Sequence, residues 1–359
     1  LRREQHVLSK YWNRLTKSLV PYVPGEQPKD KKYIKLNTNE NPYPPSPNVI
    51  EAIKYAVNED LKLYPDPNAD ALRKVIADYH GININQVFVG NGSDEILSFA
   101  FAAFFDSSEK ILFPDITYSF YPVYADFYNI QYQEIPLKED FSLPIEQFNI
   151  PNGGIVLANP NAPSSKYVPL EDLEIILKNN LEKVVIVDEA YIDFGGESAV
   201  KLINQYPNLL VIQTLSKSRS LAGLRVGIAM GTDELIEGLN RIKNSFNSYT
   251  LDRLAIAGAI AAYKDKEYFE KTRKKVIETR EKTMKELRKL GFTMPDSMAN
   301  FIFVSHPKVN AEEIFLALRE RGILVRYFKK PRISNYLRIS IGTDEEMEIL
   351  INNLKEIIK

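Results

Sequence analysis

The sequence predicts an α/β protein: a large domain with a mostly parallel sheet, joined to a smaller α+β domain. Three observations carry this. Between about 48 and 245, short apolar runs alternate with amphipathic helical stretches, the pattern of strands covered by helices on both faces. Residues 249–289, rich in Ala, Lys and Glu, read as a long connecting helix and then a second one. Beyond them, short strands are expected at 301–304, 324–326 and 336–340, with helices at 311–320 and 344–358. The expected divisions are 1–44 (an N-terminal arm and part of the small domain), 45–262 (the large domain) and 263–359 (the small C-terminal domain).

In chain order, residues 9–30 read as an extended arm containing a short helix. Val20-Pro21-Tyr22 and Pro24-Gly25 punctuate it. The segment 42–47 holds four prolines and must cross as a rigid, non-helical strip. Strands of the large domain are expected near 86–89, 110–113, 130–135, 154–158, 183–187, 209–213 and 225–230. Each is a short apolar run of the buried-strand type.

Composition narrows the function classes. The chain has 359 residues, 44% apolar and 26% charged, with a formal net charge of −1. That is an ordinary globular balance and gives no basis for binding nucleic acid or an anionic membrane. The basic run PKDKK at 28–32 reads as a solvated loop. Cysteine is absent, so disulfides and thiolate chemistry are excluded and a reducing, cytoplasmic setting is expected. The longest apolar runs, 96–105 and 254–263, are about half a membrane span, and no signal-peptide pattern opens the sequence. His6, His80 and His306 are isolated from one another and from carboxylate pairs, which argues against a metal site or a histidine base.

The chemistry centres on residues 214–227, TLSKSRSLAGLRVG. Lys217 falls in a turn after the apolar run 209–213 and before another, VGIAM. Open α/β sheets bind ligands at the carboxyl ends of their strands. An amine in a partly dry site there titrates low enough to attack a carbonyl, and pyridoxal phosphate supplies one. Strand 184–187 ends in Asp188, with Tyr191 three residues on. Asp188 alone would also fit a turn cap, but a carboxylate at a buried strand end suits a pyridinium nitrogen, and Tyr191 the ring's phenolic oxygen. GNGSDE (90–95) follows strand QVFV and opens a helix, so its free N–H groups suit a phosphate. Glu95 stands where a dinucleotide fingerprint has its last glycine. Ser216 and Arg225 would complete the phosphate cup. Arg338 lies inside the strand YLRIS and needs an anion, with Arg326 nearby in ILVRY.

LNTNENPYPPSP (36–47), LYPDPNADALR (63–73), GNGSDEIL (90–97), PDITYSFY (114–121), NPNAPSS (159–165), VDEAYIDF (187–194), TLSKSRSLAGLRVG and YLRISIGT (336–343) run in order over nearly the whole chain. Together they resemble the fold-type I pyridoxal-phosphate aminotransferases, most closely the histidinol-phosphate aminotransferase family. The resemblance implies transamination of L-histidinol phosphate with 2-oxoglutarate in histidine biosynthesis, by a homodimer with a shared site. It implies catalytic roles for Lys217, Asp188 and Tyr191. It implies cofactor contacts from these three and from Gly92, Ser93, Asp94, Ser216 and Arg225, with Tyr118 stacked on the ring. Tyr64 would reach the cofactor phosphate of the neighbouring subunit. Tyr22, Asn39, Arg326 and Arg338 would bind substrate, Arg338 as the fork on its acidic group.

One departure stands out. Where the family often reads NPNNPTG, this chain has Ala162 in place of the asparagine before the second proline. Either Asn161 meets the phenolic oxygen or Tyr191 does so alone. A phosphothreonine decarboxylase and a broader aromatic aminotransferase share the fold and remain alternatives. A DNA-binding regulator of the same fold would need a DNA-binding arm and a more basic charge.

Overall fold

The computed structural model describes residues 9–22 and 25–359. Pro24, expected to punctuate the arm, and His6 lie outside the described residues. The strands are β1 (Ile34–Lys35), β2 (Val87–Asn91), β3 (Ile111–Pro114), β4 (Tyr132–Ile135), β5 (Ile155–Ala158), β6 (Val185–Asp188), β7 (Leu209–Thr214), β8 (Val226–Met230), β9 (Phe301–Val304), β10 (Ile323–Leu324), β11 (Arg326–Tyr327) and β12 (Leu337–Ser340). The helices are α1 (Arg14–Ser18), α2 (Pro47–Ala56), α3 (Asp70–His80), α4 (Gly92–Phe104), α5 (Tyr121–Phe127), α6 (Leu170–Asn179), α7 (Asp233–Phe246), α8 (Arg253–Lys264), α9 (Lys266–Lys289), α10 (Ala311–Glu320) and α11 (Asp344–Ile357).

A seven-stranded sheet runs in the order β2-β8-β7-β6-β5-β3-β4. Its strands are parallel except β8, which is antiparallel to both neighbours. Strands β3, β5, β6, β7 and β8 are buried along their whole length, as strands covered on both faces must be. One face packs against α2, α3, α6 and α8 through Val49, Leu72, Ile76, Leu173 and Ala259. The other packs against α4, α5 and α7 through Ile96, Phe101, Tyr121, Tyr124 and Leu239. Each such valine, leucine, isoleucine or phenylalanine stabilises by about 1.5–3 kcal/mol relative to exposure.

A second core gathers Val276, Met284 and Leu287 of α9, Ile314 and Leu318 of α10 and Met347, Leu350 and Leu354 of α11. These cover a three-stranded antiparallel sheet, β11-β12-β9. Leu36, from the other end of the chain, joins the same core, and β1 pairs in parallel with β10.

Two local expectations change. The helical stretch is a 12-residue α8 followed by a 24-residue α9, the reverse of long then second. Asp265 ends α8, and its carboxylate accepts the backbone N–H of Tyr268 to cap α9. The single strand expected at 324–326 is two, because Ile323–Leu324 pairs with β1 while Arg326–Tyr327 pairs with β12. No described helix is long and apolar enough to cross a membrane.

Candidate active site

Because β8 runs against β2 and β7, its amino end meets their carboxyl ends on one sheet edge. The register shows it: Asn91 lies opposite Val226, Thr214 opposite Gly227, and Asp188 opposite Ile212 and Ala158. The sheet topology therefore brings GNGSDE, Asp188, Lys217 and Arg225 to one place. They line a cavity of about 670 Å³ that also takes in Arg326 and Arg338 of the small sheet.

Lys217 is half-buried in the turn after β7. Its Nζ donates to the Thr38 carbonyl at 3.1 Å. Burial, with the Arg338 charge adding, lowers its pKa to about 8, so a useful fraction of the amine is neutral near neutrality. Asp188 is 5% exposed. One oxygen accepts the Tyr121 hydroxyl at 2.9 Å and the other the Ala190 N–H at 3.3 Å. Burial pushes its pKa up to about 6 against these bonds, since no cation pairs with it among the described residues. A buried carboxylate in that state fits a protonated ring nitrogen as its missing partner.

Helix α4 opens without a side-chain cap, so its first-turn N–H groups are available to an anion. Gly92 has φ 80°, and a Cβ there would lie 2.5 Å from the Arg225 guanidinium. Gly227 lets the helix start sit on the sheet, since its Cβ would meet the Ser93 nitrogen at 2.5 Å. Asp94 accepts from Tyr118 at 2.9 Å and from Arg225 at 3.4 Å. Ser216 and Thr214 bond each other through their hydroxyls at 3.0 Å beside this cup. A phosphate fits the exposed N–H groups, the hydroxyls and Arg225 together.

At the far end, Arg326 and Arg338 are directly opposed across β11 and β12. Like charges so placed repel. Arg338 donates to the Asn37 carbonyl at 2.9 Å, but its Nε is buried without a partner. Burial holds its pKa below the usual guanidinium value. Two opposed guanidiniums with an unused N–H make a built anion subsite. Tyr22 also lines the cavity, its ring 4.7 Å from that of Phe120.

Of the residues singled out from sequence, Ser93, Asp94, Tyr118, Asp188, Tyr191, Ser216, Lys217, Arg225, Tyr22, Asn39, Arg326 and Arg338 line this cavity, and Gly92 abuts it through Arg225. Two do not. Asn161 lines a separate cavity of about 300 Å³. Its oxygen accepts from Thr117, and its amide donates to Ile116 O and Ser164 Oγ, while Ala162 faces the main site. Tyr64 is 77% exposed, stacked on Tyr249 at 4.6 Å, outside this chain's cavity. Among the described residues no three His, Cys, Asp or Glu side chains converge as a metal site.

Sequence reasoning missed Tyr121, Thr38 and Asn41. Tyr121 holds Asp188 and lies three residues after Tyr118 in PDITYSFY, the one signal that could have marked it. Asn41 donates to the Lys217 carbonyl at 2.9 Å and the Ser218 carbonyl at 3.2 Å, fixing the lysine turn.

Comparison with known proteins identifies the family. Residues 31–354 match the model of the family "Aminotransferase class I and II". The chain is 63% identical over 351 residues to histidinol-phosphate aminotransferase of Clostridium acetobutylicum, covering 98% of this chain and 100% of the relative. It is 61% identical to that of Clostridium botulinum, covering 98% and 99%. Histidinol-phosphate aminotransferase of Sinorhizobium meliloti, solved with pyridoxal-5'-phosphate, shares the fold with a TM-score of 0.88 at 24% identity, over 98% of each chain. Similarity over nearly the whole length places the chain among the class I and II aminotransferases, as a member of the histidinol-phosphate aminotransferase family.

Proposed function

We propose that the chain transfers the amino group of L-histidinol phosphate to 2-oxoglutarate, giving imidazole acetol phosphate and glutamate, with pyridoxal phosphate held at the sheet edge. The observation that carries the reading is the opposed Arg326–Arg338 pair with its unused Nε, joined in one cavity to Lys217 and Asp188. A planar guanidinium forks onto a phosphate ester or a carboxylate alike, which a site serving these two substrates in alternation requires.

Bound there, pyridoxal phosphate supplies an aldehyde that bonds amines and a ring that accepts electrons from the adjacent substrate carbon. Lys217 would hold it through Nζ. The same amine would serve as the base that moves the proton from the substrate α-carbon to the cofactor. Asp188 would keep the ring nitrogen protonated. Tyr191 would meet its phenolic oxygen, and Tyr118 would stack on its ring. Ser93, Ser216 and Arg225, with the backbone N–H groups of Ser93 and Asp94 at the start of α4, would hold the phosphate. We read 45–262 as the cofactor domain and 263–359, with part of 1–44, as the substrate-gripping domain.

The test is product analysis with purified enzyme. Glutamate should form from L-histidinol phosphate and 2-oxoglutarate with no gas released. Consumption of O-phosphothreonine with release of carbon dioxide would point to the decarboxylase instead.

The active unit is a homodimer in this reading. Tyr55, Val57, Leu61, Leu63, Tyr64 and Phe246 are all more than half exposed, more apolar surface than isolated residues explain. Tyr64 would enter the second copy's phosphate cup. Sedimentation at assay concentration should give a dimer, and a fully active monomer would refute the shared site.

A further inference from the structure

Residues 37–41 thread between the two sheets and touch each chemical group of the site in turn. Asn37 takes Arg338, Thr38 takes Lys217 and Asn41 ties the lysine turn. Asn39, between them, is 1% exposed with φ 55°. Its backbone N–H donates to Ser340 Oγ at 2.9 Å, and its carbonyl accepts from Asn300 at 2.9 Å. Ser340 Oγ in turn donates to Asn39 Oδ1 at 2.9 Å, and Asn39 Nδ2 donates to the Tyr191 hydroxyl at 3.0 Å.

The direction of these hydrogen bonds is set by the protons available. Ser340 accepts the Asn39 N–H on a lone pair and has one proton to give. The Asn39 side-chain oxygen is the acceptor it reaches. A flipped amide would leave that buried proton without an acceptor, at the cost of an unsatisfied buried group. So the Nδ2 end faces Tyr191, and the phenol oxygen is an acceptor on that side. Its own proton is left for the cavity, which Tyr191 lines. The 159–166 loop offers no second amide, because Asn161 is occupied elsewhere and Ala162 faces the site.

We infer that Asn39, oriented by Ser340, is a positioning residue that fixes Tyr191 as a hydrogen-bond donor toward the bound cofactor. Strand β12 carries Ser340 two residues after Arg338, on the same face, so the strand that grips the substrate anion also sets the phenol's proton. The inference rests on the proposed reading that Tyr191 faces the cofactor.

The experiment is a pH titration of the absorption of the cofactor bound to Lys217, in the holoenzyme and in Tyr191→Phe, Asn39→Asp and Ser340→Ala. Arg338, Lys217, Asp188 and Asp94 are the charged groups around Tyr191, and all are retained in these variants. Loss of a donor to the phenolic oxygen raises the midpoint. Tyr191→Phe should raise it by about one pH unit, the tenfold effect of one hydrogen bond. Asn39→Asp, which can only accept and also adds a negative charge, should raise it at least as far. Ser340→Ala should raise it by about half a unit, and by nothing in a Tyr191→Phe background. If Tyr191→Phe shifts the midpoint while Asn39→Asp and Ser340→Ala do not, the relay is wrong and the reading of Tyr191 stands. If Tyr191→Phe itself has no effect, Tyr191 does not face the cofactor and both fall.

Discussion

At the sheet-edge end of the cavity, Asp94 already holds Arg225 and Tyr118, and Asp188 already holds Tyr121. At the small-domain end, Arg326 and Arg338 confront each other, and a buried guanidinium N–H has no partner. At the first end the charged side chains already hold one another before any ligand arrives, and what is missing is a cation against Asp188 and an anion at the uncapped start of α4. The second is electrostatically unfinished and is completed by whichever anion enters. A resident group suits the first. Substrates that come and go suit the second, because an unsatisfied site binds each anion without favouring one shape.

The largest test of this contrast is Lys217→Ala. Removing the amine should abolish turnover and covalent retention of the cofactor, while the rest of the sheet-edge end still binds it reversibly. A borohydride-reducible link to the cofactor in that variant would refute the assignment. Next, Asp188→Asn should lower turnover on the order of a hundredfold, about 2.7 kcal/mol of barrier, with a smaller loss of cofactor affinity. The amide keeps the Tyr121 contact but cannot hold a ring proton. A loss under about tenfold would count against the role.

The unfinished end is probed by Arg338→Lys, which keeps charge and loses the fork. Both half-reactions should slow by about tenfold to a hundredfold in single-turnover kinetics, the range of a charge-assisted hydrogen bond of about 1.5–3 kcal/mol. The glutamate half should suffer more, since a phosphate also reaches toward Arg326 and Tyr22. Unchanged rates for both amines would make Arg338 a structural cation only. The smallest effect concerns the apoenzyme. With the Lys217 pKa lowered to about 8 by burial, its neutral fraction grows as pH rises through that value. Reconstitution with pyridoxal phosphate should therefore quicken by about tenfold between pH 7 and 9. A rate still climbing steeply above pH 10 would mean an ordinary, solvated lysine.

The strands and the groups at their ends were legible because a buried strand is a local property. Four to six apolar residues suffice to mark one, and the residues just past its carboxyl end then face the ligand edge. Asp188, Lys217 and the start of α4 were found this way. Contacts made by backbone carbonyls were not, since Thr38 O and Asn37 O leave no mark in side-chain identity. Asn161 looked like a ligand by its neighbours in sequence, yet Thr117, Ile116 and Ser164 use up its amide. The split of the 324–326 run into two strands was equally hidden, because it depends on β1, nearly three hundred residues away in sequence.

The antiparallel strand β8 has a consequence for how the protein is made. In the sheet, β2 has β8 as its neighbour and lies at the edge, so α4 has no finished floor until Val226–Met230 leaves the ribosome. The loop carrying Lys217 emerges just before that strand. Docking of β8 between β2 and β7 therefore closes the phosphate cup in a single event, after residue 230 of 359 has been made. A nascent chain stopped short of it would present β3 to β7 with an open edge at β7, a natural place for a chaperone to bind or for two such chains to pair.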